Sequence, residues 1–380
     1  MAIYRNGLEG ERPLLPLTYD ALLDQAREVL SPEAFGYLAG GAGEEDTMRE
    51  NRDAFRRWRI VPRMLRGVAD PELSTEVLGT RTRAPFLLAP VAAQGILHPE
   101  GELAVARAAA DSRIPIVLST LSSSTIEDVA GVSGPAPRWF QLYWPSDPEL
   151  TASLLQRARS AGYTAIVLTL DTFHLAWRPR DLANAYLPFL RGDGLANYFS
   201  DPVFRESLEA PPEEDPRPAI RRFAEVFSDP SRTWEDLARL REATDLPIVL
   251  KGILHPDDAR RATEWEIDAV IVSNHGGRQV DGSIAALDAL PTVVEAAGEA
   301  LTILFDSGVR TGADAFKALA LGARAVLIGR PYACALAVAG ETGVRELLEN
   351  LVAELDLTMG LSGCPSLEEV GPECLVRVES

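Results

Sequence analysis

His275 and Arg278 stand three residues apart in Ser273-Asn274-His275-Gly276-Gly277-Arg278-Gln279, at the end of the apolar run 268–272. An imidazole can take a proton, and a guanidinium can grip a carboxylate with two parallel hydrogen bonds. Together they suit a reaction that removes a proton or hydride from an anionic substrate. Two more Gly/Arg turns follow apolar runs, Phe305-Asp306-Ser307-Gly308-Val309-Arg310-Thr311-Gly312 and Ile328-Gly329-Arg330. The first of them opens a helix, a placement that suits a phosphate.

Residues so far apart in sequence need a scaffold that brings strand ends together. Eight short apolar, β-branched runs recur at 86–91, 114–119, 139–142, 165–170, 247–251, 269–273, 302–305 and 325–328. Such runs read as strands buried on both faces of a parallel sheet. Amphipathic segments alternate with most of them, at 101–111, 148–161, 234–243, 256–263 and 313–321. Two helix starts are marked: Thr311 and Asp314 at capping-box spacing, and Asp147 before Pro148. The pattern predicts an α/β protein, one (β/α)8 TIM barrel over 1–380, in preference to a doubly wound sheet. Residues 1–80 hold an amphipathic helix (19–30) and the turn Ala39-Gly40-Gly41-Ala42-Gly43, and are expected to cap the barrel. The connection after the fourth strand is far longer than a usual βα loop, and acidic and Pro-rich at 211–216. Its residues 179–232 are expected to form a mobile lid.

Barrel chemistry sits at the C-terminal ends of the strands. Here those ends carry Ala92 after the first strand, then Ser119, Gln141 with Tyr143, Thr169 with Asp171, and Lys251. The last three strands end in His275, in Asp306, Ser307 and Gly308, and in Gly329 and Arg330. One polar loop residue means little, but such a ring converging on one rim reads as a site.

Each residue also has a structural alternative. His275 could be a satisfied core histidine, Asp171 a turn cap, and Lys251 a snorkelling side chain. Arg178 could pair with Asp181 at the surface, and Tyr37 and Tyr143 could be amphipathic core edges. An unpaired ammonium at the end of a buried strand is costly, so Lys251 is expected to face a partner.

Composition narrows the function classes. With 46% hydrophobic and 24% charged residues, the chain can bury a large core, as a soluble globular protein does. A net charge of −19 argues against nucleic acid or an anionic membrane as partner. A small anionic substrate must then be drawn in by local arginines. The three cysteines, Cys334, Cys364 and Cys374, have no metal-ligand spacing and read as reduced thiols. The first twenty residues carry charges and prolines where a signal peptide needs an apolar core, and no apolar run suits a membrane span. A cytoplasmic protein is expected.

At these residues the chain resembles the FMN-dependent 2-hydroxy-acid oxidoreductases, the family of glycolate oxidase, lactate oxidase, lactate monooxygenase and mandelate dehydrogenase. The resemblance runs from about Tyr19 to Ser366 and is strongest over 273–281 and 306–331. Tyr37, Asn51, His98-Pro99-Glu100-Gly101-Glu102 and Gln141-Leu142-Tyr143 also match. It implies that His275 is the base, supported by Asp171. Arg178 and Arg278 would clamp the substrate carboxylate, with Tyr37 assisting. Tyr143 would bond the 2-hydroxyl, and Lys251 would face the flavin. The ring would lie against Ala92, Ser119, Gln141 and Thr169, with Asp306 on the ribityl chain. Ser307, Gly308, Arg310, Gly329 and Arg330 would hold the phosphate. Oxygen as acceptor and a homo-oligomer, tetramer or octamer, are also implied.

Two departures stand out. Leu121 occupies a position where glycolate oxidase carries a tryptophan over the substrate. The lid stretches Trp177-Arg178-Pro179-Arg180-Asp181 and Ala196-Asn197-Tyr198-Phe199-Ser200-Asp201-Pro202 look most like lactate 2-monooxygenase. The expected reaction is oxidation of L-lactate to acetate, carbon dioxide and water, with an oxidase or dehydrogenase as the rival, and a non-oxidising flavin-binding barrel as the rival of another class.

Overall fold

The computed structural model describes residues 7–10 and 12–378. Eight strands close into a parallel barrel in chain order. They are β1 (Phe86–Leu88), β2 (Ile116–Ser119), β3 (Arg138–Tyr143), β4 (Ile166–Thr169), β5 (Ile248–Ile253), β6 (Ala269–Val272), β7 (Thr302–Phe305) and β8 (Ala325–Ile328). β8 returns to β1 with Leu327 opposite Leu87, which completes the expected (β/α)8 closure. Four of the strands, β1, β2, β4 and β6, are shorter than the apolar runs suggest. Pro90 and Pro115, lacking an N–H, stand at the end of the first run and the start of the second.

Side chains alternate along each strand, so one set fills the barrel and the other packs on the helices. The interior set is Leu87, Val117, Trp139, Val167, Val249, Ile271, Leu304 and Leu327, all buried together. Two residues further on, the same inward register brings Ser119, Gln141, Thr169, Lys251 and Asp306 to the C-terminal mouth. Apolar interior and polar rim are thus one period-two pattern.

The segment before β1 does two jobs. Helices Tyr19–Val29, Pro32–Ala39 and Asp46–Arg56 lie toward the mouth, and an antiparallel hairpin, Thr75–Val77 with Thr80–Thr82, closes the opposite end. Trp139 Nε1 donates to Thr80 Oγ1 at 3.1 Å, and Val77 packs into the interior set. From the sequence a cap with one helix at 19–30 was expected; the two helices that follow and the hairpin were not. A strand Trp58–Ile60 also pairs with Leu375–Arg377, tying the segment before β1 to the one after β8.

The capping helices are fastened to the loop after β6. Ala42 N–H donates to Gly277 O at 2.9 Å, and Asn51 and Asn274 exchange amide hydrogen bonds at 2.8 Å. Gly277 (φ +75°) allows this approach, since a Cβ there would stand 2.6 Å from Met48 N. Both marked helix starts are present. Thr311 Oγ1 accepts from Asp314 N at 3.0 Å, and Asp147 Oδ1 accepts from Glu149 N at 2.9 Å. The segment 234–243 forms a 3-10 turn, Trp234–Asp236, and then a helix, Leu237–Glu242, rather than one helix. Thr233 and Asp236 form a capping box at its start.

Residues 179–232 contain short helices at Pro179–Ala183, Pro202–Glu206 and Pro216–Val226 and single turns between them. Asn197 pins this segment to the end of β2. Its Oδ1 accepts from Ile126 N at 2.8 Å and its Nδ2 donates to Thr120 O at 3.0 Å. Among the described residues no helix is long and apolar enough to cross a membrane.

Candidate active site

A cavity of about 230 Å³ opens at the mouth of the barrel. His275 reaches it from the loop after β6, with a backbone φ of +59° that is unusual for a residue bearing a side chain. Ser273 Oγ holds that turn by accepting the His275 N–H at 3.0 Å, and it also accepts from Lys251 Nζ at 3.0 Å. His275 Nδ1 lies 2.8 Å from Asp171 Oδ1. Burial raises a carboxyl, but His275 and Lys251 outweigh that and hold Asp171 at about 2. Asp171 is therefore the acceptor, Nδ1 carries the proton, and Nε2 keeps its lone pair. Burial lowers His275 below its ordinary value, against the opposing pull of Asp171. The resting imidazole is a neutral base.

Lys251 has the partner its burial demands. Asp306 Oδ2 lies 3.5 Å from Nζ. Burial disfavours the ammonium, yet Asp306 and Asp171 overcome it and raise the pKa. The cation is secure.

Across the cavity stand Arg178 and Arg278. Arg278 Nη1 donates to Tyr37 O at 2.6 Å and Gly40 O at 2.8 Å, and its guanidinium lies 4.9 Å from the Tyr37 ring centre. Arg178 is no partner of Asp181 in an ion pair. Its Nε donates to Arg278 O at 3.1 Å and its Nη2 to Gln279 Oε1 at 2.7 Å. Burial, then the charge of Arg278, pulls Arg178 down to about 10. Two cations share a poorly solvated space, a site that favours an anion. Tyr37 and Tyr143 line the same space, and burial raises both phenols, keeping them neutral donors.

On the β7–β8 side, Ser307 Oγ donates to Asp306 Oδ1 at 2.7 Å and accepts the N–H of Asn274 and Gly276. Gly329 has no side-chain cap and precedes a helical span, Arg330–Ser362, that is broken at Ala339 and Gly340; its carbonyl accepts the N–H of Tyr332 at 3.1 Å. Arg310 lies 4.1 Å from the Tyr19 ring centre, and its buried Nε has no partner among the described residues. Arg330 is pulled to about 9 by burial, then by the charges of Arg278 and Arg310. Its donors reach the carbonyls of Leu38, Gly40 and Gly276.

Ser119, Gln141 and Thr169 do not line the cavity but form a buried chain beside it. Gln141 Oε1 accepts from Ser119 Oγ and its Nε2 donates to Thr169 Oγ1, each at 3.0 Å. Ala92, Gly308, Arg310, Gly329 and Arg330 do line it. All the residues named from sequence thus gather at one mouth.

Sequence reasoning took the long insertion for an aromatic-rich lid but did not name Phe223 and Phe227 or place the rings as a roof over the cavity. Phe189, Phe223 and Phe227 line the cavity from the long insertion. Phe227 packs on Tyr143 with ring centres 5.2 Å apart, and Phe189 meets Tyr37 edge-on at 6.1 Å. Phe223 and Phe227 have helical spacing, which reads equally well as ordinary core. Ser273 as the bridge between Lys251 and His275 was also missed.

The profile of FMN-dependent dehydrogenases matches residues 26–377. The chain belongs to that family. An FMN-dependent alpha-hydroxy acid dehydrogenase of Penicillium citrinum is 47% identical over 380 residues, covering 99% of this chain and 94% of its own. L-lactate oxidase of Lysinibacillus sphaericus is 43% identical over 362 residues, covering 95% and 93%. A crystal structure of mandelate oxidase is similar with a TM-score of 0.84 at 41% identity, covering 95% of this chain and 98% of that one. This family member is an FMN-dependent 2-hydroxy-acid oxidoreductase.

The residues present fit FMN. Arg310 Nε, without a partner among the described residues, and the charge-strained Arg330 suit a phosphate dianion. The Lys251 ammonium suits the edge of a ring system that gains negative charge.

Proposed function

We propose that the protein oxidises a small L-2-hydroxy acid, L-lactate foremost, with O2 as acceptor and with the outcome of a lactate 2-monooxygenase. The observation that carries the oxidation is the His275 imidazole, 2.8 Å from Asp171, facing the same cavity as two guanidiniums that form no ion pair with a carboxylate among the described residues. Arg178 and Arg278 bind the substrate carboxylate, and Tyr37 and Tyr143 offer neutral hydroxyls to the carboxylate and the 2-hydroxyl. His275 Nε2 takes a proton from the substrate, and Asp171 stabilises the imidazolium so formed. FMN, when bound, would supply the acceptor for the two electrons and the second proton, and Lys251 would hold positive charge where it offsets the charge gained. Ser119, Gln141, Thr169 and Ala92 would hold the ring, Asp306 the ribityl chain, and Ser307, Gly308, Arg310, Gly329 and Arg330 the phosphate.

The anchored aromatic roof supports slow product release. Pyruvate retained beside hydrogen peroxide gives acetate, carbon dioxide and water. The apolar wall of Leu121, Leu175, Leu190 and Phe223 favours a second reading, an oxidase for a 2-hydroxy acid with a larger apolar side chain that releases its 2-oxo acid and peroxide. Purified protein should be yellow and should bleach on addition of L-lactate without oxygen. No bleaching with any small 2-hydroxy acid would remove the oxidation reading. In air, acetate without free peroxide supports the monooxygenase, and stoichiometric peroxide supports the oxidase.

A further inference from the structure

Gln279 follows the second clamp arginine, and its half-buried amide joins two loops. Its Oε1 accepts from Arg178 Nη2 at 2.7 Å. Its Nε2 donates to the carbonyl of Asp171 and, at 3.3 Å, to that of His174. Arg178 Nε is taken by Arg278 O at 3.1 Å. Nη1 is therefore the one nitrogen of this guanidinium with no protein partner among the described residues, and Arg178 lines the cavity.

Both acceptors that meet Arg178 are uncharged. A carboxylate at position 279 would satisfy Nη2 equally well, but it would cancel the cation before a ligand arrived. It would also lose the two donors that fasten the Asp171 loop. A neutral amide fixes the guanidinium in direction and leaves its charge for an anion. The same amide holds Asp171 by its backbone while His275 holds it by its side chain, so the clamp and the base share one brace.

We propose that Gln279 is a positioning residue for substrate, aiming Arg178 at the cavity with its charge uncancelled and registering that aim to the loop that carries Asp171. The inference rests on the reading of the site as a 2-hydroxy-acid oxidoreductase that grips a carboxylate.

The test uses the FMN-loaded protein and oxalate, an unreactive dicarboxylate, titrated through the change in flavin absorbance. Q279E is expected to weaken oxalate roughly tenfold or more, about 1.4 kcal/mol. Q279M keeps the cation but loses the brace, and is expected to weaken oxalate less, by about threefold. In Q279E the fall in oxalate affinity and the rise in KM should exceed the fall in the anaerobic reduction rate at saturating substrate, which reports the lost fastening of the Asp171 loop. Oxalate affinity within about twofold of wild type in Q279E would overturn the proposal, as would equal losses in the two variants. Loss of FMN along with affinity in both variants would also overturn it, reducing the amide to packing. If no 2-hydroxy acid reduces the wild type, the reading of the site fails. If the wild type is reduced and Q279E binds oxalate normally, only this inference fails.

Discussion

Arg178 Nε donates to the backbone carbonyl of Arg278 at 3.1 Å, so the loop bearing one cation of the clamp orients the other. Burial, then the charge of Arg278, pulls Arg178 down to about 10, the direction expected where two cations stand close together with little water between them. A substrate carboxylate relieves that repulsion. Arg278→Met should therefore weaken substrate binding by roughly 3–5 kcal/mol. The check is KM for L-lactate and the dissociation constant of oxalate, with flavin content unchanged. An unaltered oxalate affinity would remove Arg278 from the clamp.

The base makes a prediction about pH. His275 is lowered by burial, with Asp171 opposing, and its active form is neutral. Protonation as pH falls through that lowered value switches the base off, so kcat/KM should decline on an acid limb below the ordinary histidine range. Asp171→Asn removes the opposing charge, which moves the limb to still lower pH while the plateau rate drops. His275→Ala should slow anaerobic flavin reduction by roughly 10²–10⁴-fold and keep FMN bound. A D171N limb that moves upward would contradict the assigned electrostatics.

Lys251 tests the buried ion pair. Its ammonium lies 3.5 Å from Asp306 and is also held charged by Asp171. Lys251→Met leaves two carboxylates without their shared cation, and breaking such a pair costs about 3–5 kcal/mol. A lower Tm of the FMN-loaded protein should accompany slower flavin reduction. An unchanged Tm would mean that Asp306 finds its compensation elsewhere.

Much of the site was legible because a parallel barrel converts sequence order into position. Once Trp139 and Val249 are read as interior residues, Gln141 and Lys251 follow at the mouth by the two-residue period of a strand. The bottom hairpin was not legible. Thr75–Val77 and Thr80–Thr82 are short and polar, and only Val77 and the Trp139–Thr80 bond reveal what they plug. The roof was hidden for a different reason. Phe189, Phe223 and Phe227 carry no chemistry in their residue type, and their contacts with Tyr37 and Tyr143 exist only once the insertion has folded back. Capping interactions at Thr311 and Asp147 are local in sequence, and those were readable.

Asn197 offers a way to separate the chemistry from the fate of its product. Its amide joins the turn Ala196–Phe199 to the backbone of Ile126 and Thr120. Tyr198, the next residue, is buried against Phe223 with ring centres 4.9 Å apart, and Phe223 lines the cavity. Asn197→Ala leaves buried backbone groups without partners, at a cost of about 1–3 kcal/mol. That loss falls on the fastening of the insertion, since none of the clamp or base residues bonds to Asn197. Anaerobic reduction should then stay within about threefold of wild type, because the reacting groups keep their places. Retention of product should suffer, and in air free peroxide and 2-oxo acid should rise at the expense of the decarboxylated acid. The check is the ratio of acetate to pyruvate, with peroxide measured in the same reaction. A wild type that forms acetate and a variant with the same ratio would show that the roof does not set how long the products remain together.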